Sequence, residues 1–311
     1  MAVIPADRAG RGGDIPPAQA AVSVRTRTLW YDAWLRLKRN KVAMISAFVL
    51  LILAVIAIAY PILAPESFRA QVRDPISNRT IQNQEPSAAH WFGTDGQSRD
   101  VFARVLYGTS ITMSVGVVCE LIILFIGVPL GLIAGYFGKW VDQVLMRLTD
   151  VMYAFPTVLF AIVVMTALGP SLTNIYFAIG FTFWPPMARL VRSQVLSLRE
   201  KEYVESARAV GVSPVRIMFA HILPNALGPV IVAATFGIPA AILTEAFLSF
   251  IGIGVPIPYP SWGAMISQGR AQMRSEPWLV LFPSIALAIT LFAFNFFGDG
   301  LRDALDPRSR K

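Results

Sequence analysis

The chain has 311 residues, of which 55% are hydrophobic and only 15% are charged, and its mean hydropathy is +0.57. A soluble domain averages about a quarter charged residues, whereas a surface that faces lipid excludes charge. This composition excludes an ordinary soluble globular protein and predicts an all-α integral membrane protein. The net charge of +8 fits nucleic acid, an anionic membrane surface or topology signals, so the positions of the basic residues must decide.

The N-terminal residues divide into two parts. Residues 1–28 are rich in Ala, Gly and Pro, which predicts a disordered tail. In residues 29–41, Trp30, Trp34 and Leu37 share one helical face, which favours a helix lying on the anionic inner leaflet. Ordinary juxtamembrane topology charge explains the basic residues equally well. Those residues are Arg36, Lys38, Arg39 and Lys41.

Six apolar runs are long enough to cross a bilayer, which takes about 20 residues at a rise of about 1.5 Å each. The first is not a cleaved signal peptide, because about 41 residues precede it and no small-residue cleavage site follows. The predicted spans are residues 42–60, 111–137, 151–168, 172–191, 226–243 and 278–297.

Lys and Arg residues are distributed unequally between the loops. With the N-terminus in the cytoplasm, 20 of the 27 basic residues fall in inside segments and seven in outside segments. Both termini are therefore predicted to be cytoplasmic. The predicted organisation is a cytoplasmic tail (1–28), an interfacial helix with the first span (29–60), an external segment (61–110), a core of five spans (111–298) and a cytoplasmic C-terminal tail (299–311).

Several polar residues and prolines fall within the predicted spans. A charge at the bilayer centre costs about 3 kcal/mol or more, so Glu120 should face protein or water, or be protonated. It lines a translocation path, makes a structural hydrogen bond, or lies nearer the interface. Glu245, at the outer end of the fifth span, has a gate or packing role. Pro185 and Pro186 kink a packed helix or form a hinge, and Asn295 bonds another helix or contacts cargo.

The longest inside loop, residues 189–225, has signals for two helices. A capping-box pattern at Ser197-Leu198-Arg199-Glu200 predicts a helix that runs to about residue 210 and ends at Gly211. Ser213 is then predicted to cap a second helix, with Pro214 in its first turn, which runs to residue 223 before Pro224.

The first of these helices is amphipathic, since Tyr203, Ala207 and Val210 share one face. A short helix held between two spans is a rigid handle through which a soluble partner could move both spans. The alternatives are a solvated loop helix that rests on the membrane and a DNA-reading helix-turn-helix. Tethering between two spans and modest basicity argue against DNA, so no nucleic-acid partner is predicted.

The same loop carries a recognisable motif. Glu205-Ser206-Ala207 is followed after three residues by Gly211, and nine residues later by His221-Ile222-Leu223-Pro224. This pattern resembles the EAA loop of bacterial ABC importer permeases, with departures at Ser206 and His221. Other segments look like the oligopeptide/dipeptide/nickel importer permeases of the OppC/DppC type, in the same order over roughly residues 30–310. They are residues 93–95 with 99–100, 202–205, 221–225, 242–254 and 298–308.

The resemblance implies an ABC importer type I permease bundle of six transmembrane helices with a cytoplasmic coupling helix, in the bacterial plasma (inner) membrane. Such a permease forms half of the translocation pathway for di- or oligopeptides. It pairs with a homologous second permease, two cytoplasmic ATP-binding subunits and an extracytoplasmic solute-binding protein. The coupling loop would be residues 197–224, with Glu202, Tyr203, Glu205, Ser206, Ala207, Arg208, Gly211 and Pro214 as its ATPase-coupling residues.

The chain itself shows no pattern of an enzyme. It has no G-x-x-x-x-G-K-[ST], so ATP and Mg²⁺ are expected to be used by partner subunits, with no cofactor here. His90 and His221 fall on opposite predicted sides and Cys119 lies within a span, which argues against a catalytic or metal site. An ion- or proton-coupled secondary transporter is the alternative, but it usually has several buried ionisable groups, and Glu120 is the one clear candidate.

Overall fold

The computed structural model describes residues 29–306, so the expectations for residues 1–28 and 307–311 lie outside it. Within this range the regular secondary structure is helical, and residues 71–100 hold three isolated β-bridges. The prediction of an all-α protein is confirmed. The α-helices are α1 (Leu29–Arg39), α2 (Lys41–Leu63), α3 (Val101–Phe137), α4 (Lys139–Ala154), α5 (Thr157–Leu168), α6 (Leu172–Leu198), α7 (Glu202–Ala209), α8 (Pro214–Arg216), α9 (Leu223–Phe250), α10 (Trp262–Gly269) and α11 (Trp278–Leu305).

Four described helices are long and apolar enough to cross a membrane: α2, α3, the continuous Pro214–Phe250 helix and α11. A fifth crossing results if α4 and α5, which meet at 84°, are counted as one broken span. The remaining long helix, α6, has 27 residues but is less apolar. With α6 included, the number of helices long enough to cross the membrane is roughly consistent with the predicted six.

The third predicted span, residues 151–168, differs from the structure. Residues 151–154 end α4, and α5 begins only at Thr157. With 12 residues, α5 is about 18 Å long and cannot cross a bilayer alone. The break falls at Phe155 and Pro156, because a residue before proline is pushed out of the helical region.

Close approach of α3 and α6 organises the centre of the bundle. Three glycines of α3 lie four residues apart against α6: Gly127, Gly131 and Gly135. A Cβ atom at Gly131 would lie 2.5 Å from the Ala188 carbonyl, and one at Gly135 would lie 2.7 Å from the Val195 Cβ. Such small-residue spacing lets two helix backbones touch where lipid supplies no hydrophobic drive. We call this contact the glycine seam.

Contacts between helix termini show which loops lie at the same end of the bundle. At one end, Arg199 Nη1 donates to the Gly135 carbonyl at 2.9 Å, which joins the end of α6 to the end of α3. Gly300 near the end of α11 packs against the start of α2 at this same end. At the other end, Trp262 Nε1 of α10 donates to the Val105 carbonyl of α3 at 3.1 Å. We call these the α7 end and the α10 end.

The N-terminal helix α1 packs beside the end of α11. Ala33 and Leu37 are buried in a cluster with Ala304, whereas Trp34 is 48% exposed and has Lys38 Nζ 4.9 Å from its ring centroid. The sequence pattern predicts that Leu37 and Trp34 lie on one face against the membrane surface. In the structure Leu37 instead packs against protein, and Trp34 remains exposed. The reason is that α11 offers an apolar surface within reach of α1.

The capping box predicted at Ser197 is wrong. Helix α6 continues past residue 191 to Leu198, so Ser197 lies inside a helix and cannot act as its N-cap. The Glu200 carboxylate accepts from Arg199 Nε at 2.8 Å and not from a backbone N–H. Helix α7 begins at Glu202, with Lys201 at the N-cap and no side-chain cap bond.

The predicted helix end at Pro224 is also wrong. Helix α8 begins at Pro214 behind Ser213, as predicted, but it passes through a π-helical segment, Ile217–Ile222, directly into α9. There the Leu223 N–H donates to the Met218 carbonyl, five residues back. Pro224 has no N–H and would interrupt the hydrogen bonding of an ordinary α-helix. The wider π-helical turn just before it lets the chain continue as one helix.

The segment between α2 and α3 is shorter than predicted, because α3 begins at Val101 and not at residue 111. Asp100 caps the helix by accepting from the Ala103 N–H at 2.9 Å. The first turns of α3 contain polar residues, so hydropathy alone places the start of the helix too late. In the structure Arg104 is buried there, with Nη2 donating to Gln268 Oε1 of α10 at 3.2 Å and Nε 3.6 Å from Asp95 Oδ2.

We predict that Gly131→Ala lowers the melting temperature of the full-length protein in detergent. An added methyl group would force the backbones of α3 and α6 apart, and overpacking of this kind costs about 1–3 kcal/mol. The control is Gly228→Ala in α9, where nothing lies within 4 Å of the added Cβ. It should leave the melting temperature unchanged or raise it, since Ala favours helix over Gly. Equal melting temperatures for the two variants would contradict the glycine seam.

Candidate functional site

Helix α7 is held against the end of the bundle by two side chains. Val204 and Ala207 are buried in a cluster that contains Val195 of α6 and Ile217 and Met218 of the π-helical segment. An i, i+3 pair of apolar residues makes a narrow inward face, and the rest of the short helix faces out. The loop is therefore a docked helix whose position is tied to both α6 and α9.

The predicted apolar face of this helix is partly wrong. Ala207 is buried as expected, but Tyr203 is 40% exposed and Val210 is 79% exposed. Val210 lies beyond the end of α7 at Ala209, so helical spacing no longer applies to it. The buried residue that the sequence analysis missed is Val204, which lies three residues before Ala207.

The outward surface of α7 combines charge with apolar area. Glu202, Glu205 and Ser206 are exposed, and they lie beside the half-exposed Tyr203. Partial burial raises the pKa of the Tyr203 phenol, because desolvation penalises the anion. The phenol is thus neutral at physiological pH. Apolar area continues past α7, where Val215 and Phe219 are also exposed.

Arg208 links α7 to the end of α3. Its guanidinium carbon lies 5.2 Å from the centroid of the Tyr136 ring, within the range of a cation–π contact. Arg208 and Tyr136 line a crevice of ≈ 330 Å³ together with Phe137, Arg199 and Glu200. Sequence reasoning missed Tyr136 and Arg199, because nothing in the chain pattern pairs the end of one span with a loop 60 residues later.

Gly211 closes α7 in a left-handed conformation, with φ at +79°. Its N–H donates to the Arg208 carbonyl at 3.0 Å, and the Val212 N–H donates to the Ala207 carbonyl at 3.0 Å. This six-to-one bond is the pattern of a glycine-terminated helix. Pro214, exposed, then begins α8. The sequence predictions for these two positions are confirmed.

Within the bundle, Glu120 lies at a cavity of ≈ 420 Å³ between α3, α6 and α9. Its side chain is 3% exposed, and neither carboxylate oxygen has a hydrogen-bond partner. Pro186 of α6 lines the same cavity. The structure thus brings together two of the residues that the sequence assigns to a translocation path or gate.

The other three residues of that group lie elsewhere. Glu245 is fully buried, and its Oε1 accepts from Ser249 Oγ at 2.6 Å and from Ser261 Oγ at 2.7 Å, which ties α9 to the start of α10. Pro185 is buried within α6 and does not line the cavity. Asn295 is exposed and donates to the Leu291 carbonyl of its own helix at 2.8 Å, so the predicted bond to another helix is absent within the described residues.

Sequence reasoning missed the residues that face Glu120. A Cβ atom at Gly237 of α9 would lie 2.0 Å from Glu120 Oε2, so this position leaves room for the carboxylate. Phe183 and Phe236 add aromatic surface to the lining. A glycine in an apolar span is a signal of close approach, but it does not say which side chain approaches.

We predict that Val204→Ala loosens α7 while leaving its exposed surface intact. Loss of two buried methyl groups costs about 2 kcal/mol, so backbone amides of residues 202–212 should exchange hydrogen faster. The control is Val210→Ala, the same change at a side chain that is 79% exposed, which should leave exchange unchanged. Hydrogen exchange read by mass spectrometry checks both. Equal exchange in the two variants would mean that Val204 does not anchor the helix.

Comparison with known proteins places these features in a family. Residues 127–311 match the model of the binding-protein-dependent transport system inner membrane component, and residues 28–86 match the N-terminal TM domain of oligopeptide transport permease C. The dipeptide transport system permease protein DppC of Bacillus subtilis is 45% identical over 294 residues, covering 94% of this chain and 90% of that protein. The oligopeptide transport system permease protein OppC of the same organism is 41% identical and covers 93% of each chain.

A solved structure shows the same fold. A chain from the inward-facing MetNI methionine ABC transporter aligns with a TM-score of 0.52 at 19% identity, covering 63% of this chain and 93% of that chain. At this identity the likeness concerns the fold alone. The family models and the relatives carry the assignment further: the chain belongs to the binding-protein-dependent transport system inner membrane components, as an ABC importer permease of the OppC/DppC type.

Proposed function

We propose that this chain forms half of the translocation pathway of an ATP-driven peptide importer and that α7 is its coupling helix. The observation that carries the proposal is the way α7 is mounted. Val204 and Ala207 fix it to α6 and the π-helical segment, while Glu202, Tyr203 and Glu205 remain open to a partner. A force applied to this surface reaches two long helices directly.

Peptides are the proposed cargo because relatives that match over nearly the whole chain are named for dipeptide and oligopeptide transport. The proposed partners are a homologous second permease, two cytoplasmic ATP-binding subunits and an extracytoplasmic solute-binding protein. ATP and Mg²⁺ belong to the ATP-binding subunits, since the 311 residues contain no phosphate-binding loop motif. The chain itself is a passive pore half.

The mechanical path runs from α7 through charged contacts near the same end of the bundle. Arg192 of α6 donates through Nε and Nη2 to both carboxylate oxygens of Asp142 in α4, each at 2.5 Å. Two parallel bonds of this kind are stiffer and stronger than a single neutral one. When the ATPases close and shift α7, α6 and α4 move together, and the bundle alternates between inward and outward openings.

An ion- or proton-coupled secondary transporter gains no support. The family model is that of a binding-protein-dependent system, and that kind of importer takes its energy from separate subunits. Uptake that survives ATP depletion but stops when the ion gradient collapses would favour the alternative. Uptake that follows ATP and ignores the gradient supports the importer.

We predict that Glu205→Arg reduces ATP-dependent peptide uptake roughly tenfold or more, because reversing a charge in a docking surface costs several kcal/mol. Membrane insertion should be unchanged, since Glu205 is exposed. The control is Glu85→Arg, the same change at an exposed residue of the 64–100 segment, outside the proposed ATPase-docking surface. Uptake and ATP hydrolysis are measured in the assembled transporter reconstituted in liposomes.

A second variant in the same assay is Gly211→Val. A side chain at φ +79° costs roughly 1–2 kcal/mol and distorts the end of α7 without removing any exposed group. It should uncouple ATP hydrolysis from uptake. Normal uptake in both Glu205→Arg and Gly211→Val would remove the basis for α7 as the coupling helix.

We predict that α7 lies in the cytoplasm and that the 64–100 segment lies outside. The native Cys119 is buried, so single introduced cysteines can be labelled selectively. In intact cells a membrane-impermeant maleimide should label Ala88→Cys at once and should label Ser206→Cys only after the membrane is opened. Both positions are exposed in the structure. The reverse pattern would overturn the orientation and the coupling role together.

A further inference from the structure

Glu120 carries a buried carboxyl group without a hydrogen-bond partner among residues 29–306. Its side chain is 97% buried, and both Oε1 and Oε2 lack hydrogen bonds. A carboxylate removed from water normally gains hydrogen bonds or an opposite charge, because burial without compensation is strongly unfavourable. Glu245, at the same depth of burial, has two serine hydroxyls on Oε1. The contrast marks Glu120 as a group whose partner lies outside the described residues 29–306.

The surroundings of Glu120 leave space for its carboxyl group beside the cavity and supply no counter-charge among the described residues. Gly237 opposite has no side chain, and a Cβ there would lie 2.0 Å from Oε2. Among the described residues that line the cavity, Glu120 is the only charged one, and the others include Ile123, Phe183, Met187 and Phe236. The cavity therefore holds a single carboxyl group inside an apolar wall.

The open side of this cavity cannot face hydrocarbon. A carboxylate toward lipid is among the costliest arrangements in a membrane protein, and such groups are found facing a protein interior or an aqueous path. The cavity has ≈ 420 Å³ of space, enough for several non-hydrogen atoms and not only for one water molecule. A ligand, and not only an ion, fits this volume.

The chemistry of the lining selects the kind of cation. One carboxylate supplies two oxygen ligands, whereas Ca²⁺ takes six to eight and Mg²⁺ takes six. No group of three or more His, Cys, Asp or Glu side chains able to hold a metal occurs in residues 29–306. An organic ammonium needs only one carboxylate as its counter-charge, and aromatic rings such as Phe183 and Phe236 add attraction to a cation that has lost water.

We infer that Glu120 binds the ammonium group of a passing cargo and that the cavity between α3, α6 and α9 is a cation subsite of the translocation path. The inference rests on the proposed function, because a peptide at neutral pH carries an N-terminal ammonium. The apolar wall accommodates the carbon atoms next to that ammonium. Gly237 leaves room for the carboxyl group at the cavity, and the site favours cationic over anionic or acylated cargo.

The first test uses n-butylammonium chloride as a probe on the purified full-length chain in detergent. Ligands that bind the folded state raise its melting temperature. The wild type should melt at a higher temperature in butylammonium than in sodium chloride or sodium butyrate of equal ionic strength. Glu120→Gln should lose that shift, and Glu85→Gln, the same change at an exposed residue, should keep it. A shift of equal size in Glu120→Gln would overturn the inference.

The second test uses the transporter assembled with its partners in liposomes. Loss of one charge-assisted hydrogen bond predicts a fall of roughly tenfold or more in the maximal rate of trialanine uptake by Glu120→Gln. Hydrolysis of ATP stimulated by the binding protein should stay within about twofold of the wild type. Uptake that is unchanged, or a permease pair that dissociates when Glu120 is neutralised, would assign the carboxylate to structure or to the subunit interface.

The two tests separate the two proposals. If the wild-type assembly shows no ATP-dependent uptake, the proposed function fails, and the butylammonium result still decides whether the cavity binds an ammonium. If the wild type transports trialanine and Glu120→Gln transports it equally well, the importer stands and the cation subsite fails.

Discussion

Close contact between α3 and α6 is the constraint on which the rest of the molecule depends. In a bilayer, helices gain little from burying apolar side chains, so they associate where backbones come near enough for dense van der Waals contact. Gly127, Gly131 and Gly135 provide that approach along about two turns of α3. The seam fixes the course of α6, and α6 in turn carries α7 and one wall of the Glu120 cavity.

The seam also explains why α6 can be less apolar than the other long helices. Trp184, Pro185 and Ala188 are buried against neighbouring helices, so this helix does not need an apolar surface all round. Its far end is tied by charge: Arg189 lies 2.6 Å from Asp150, and Arg192 holds Asp142. Glycine contacts and ion pairs along the same stretch of α6 hold it against α3 and α4.

The sequence alone predicts the long apolar helices well, because length and hydropathy suffice to recognise them. It also predicts the glycine end of α7 at Gly211 and the proline start at Pro214, since both depend on local backbone chemistry. It fails at Ser197, where a plausible cap lies inside a helix that tertiary contacts extend. Local signals are ambiguous when a longer helix is stabilised from elsewhere.

Other features depend on partners distant in the chain. The inward face of α7 is set by Val204, which meets Val195 and Ile217, and no spacing rule distinguishes it from the face through Tyr203. Glu120 is recognisable as a costly charge in a span, but the lack of a partner depends on Gly237 opposite. The same burial rule that identifies Glu120 as unusual leaves its role open until the facing helices are known.

The π-helical segment Ile217–Ile222 holds one surplus residue between the loop and the membrane helix that follows it. A residue added to an ordinary helix turns every later side chain by about 100°. Here the wide turn takes up that rotation before α9 begins. The two sides of the segment therefore keep separate angular settings: α7 keeps Glu202 and Glu205 exposed, and α9 keeps Gly237 against Glu120 of α3.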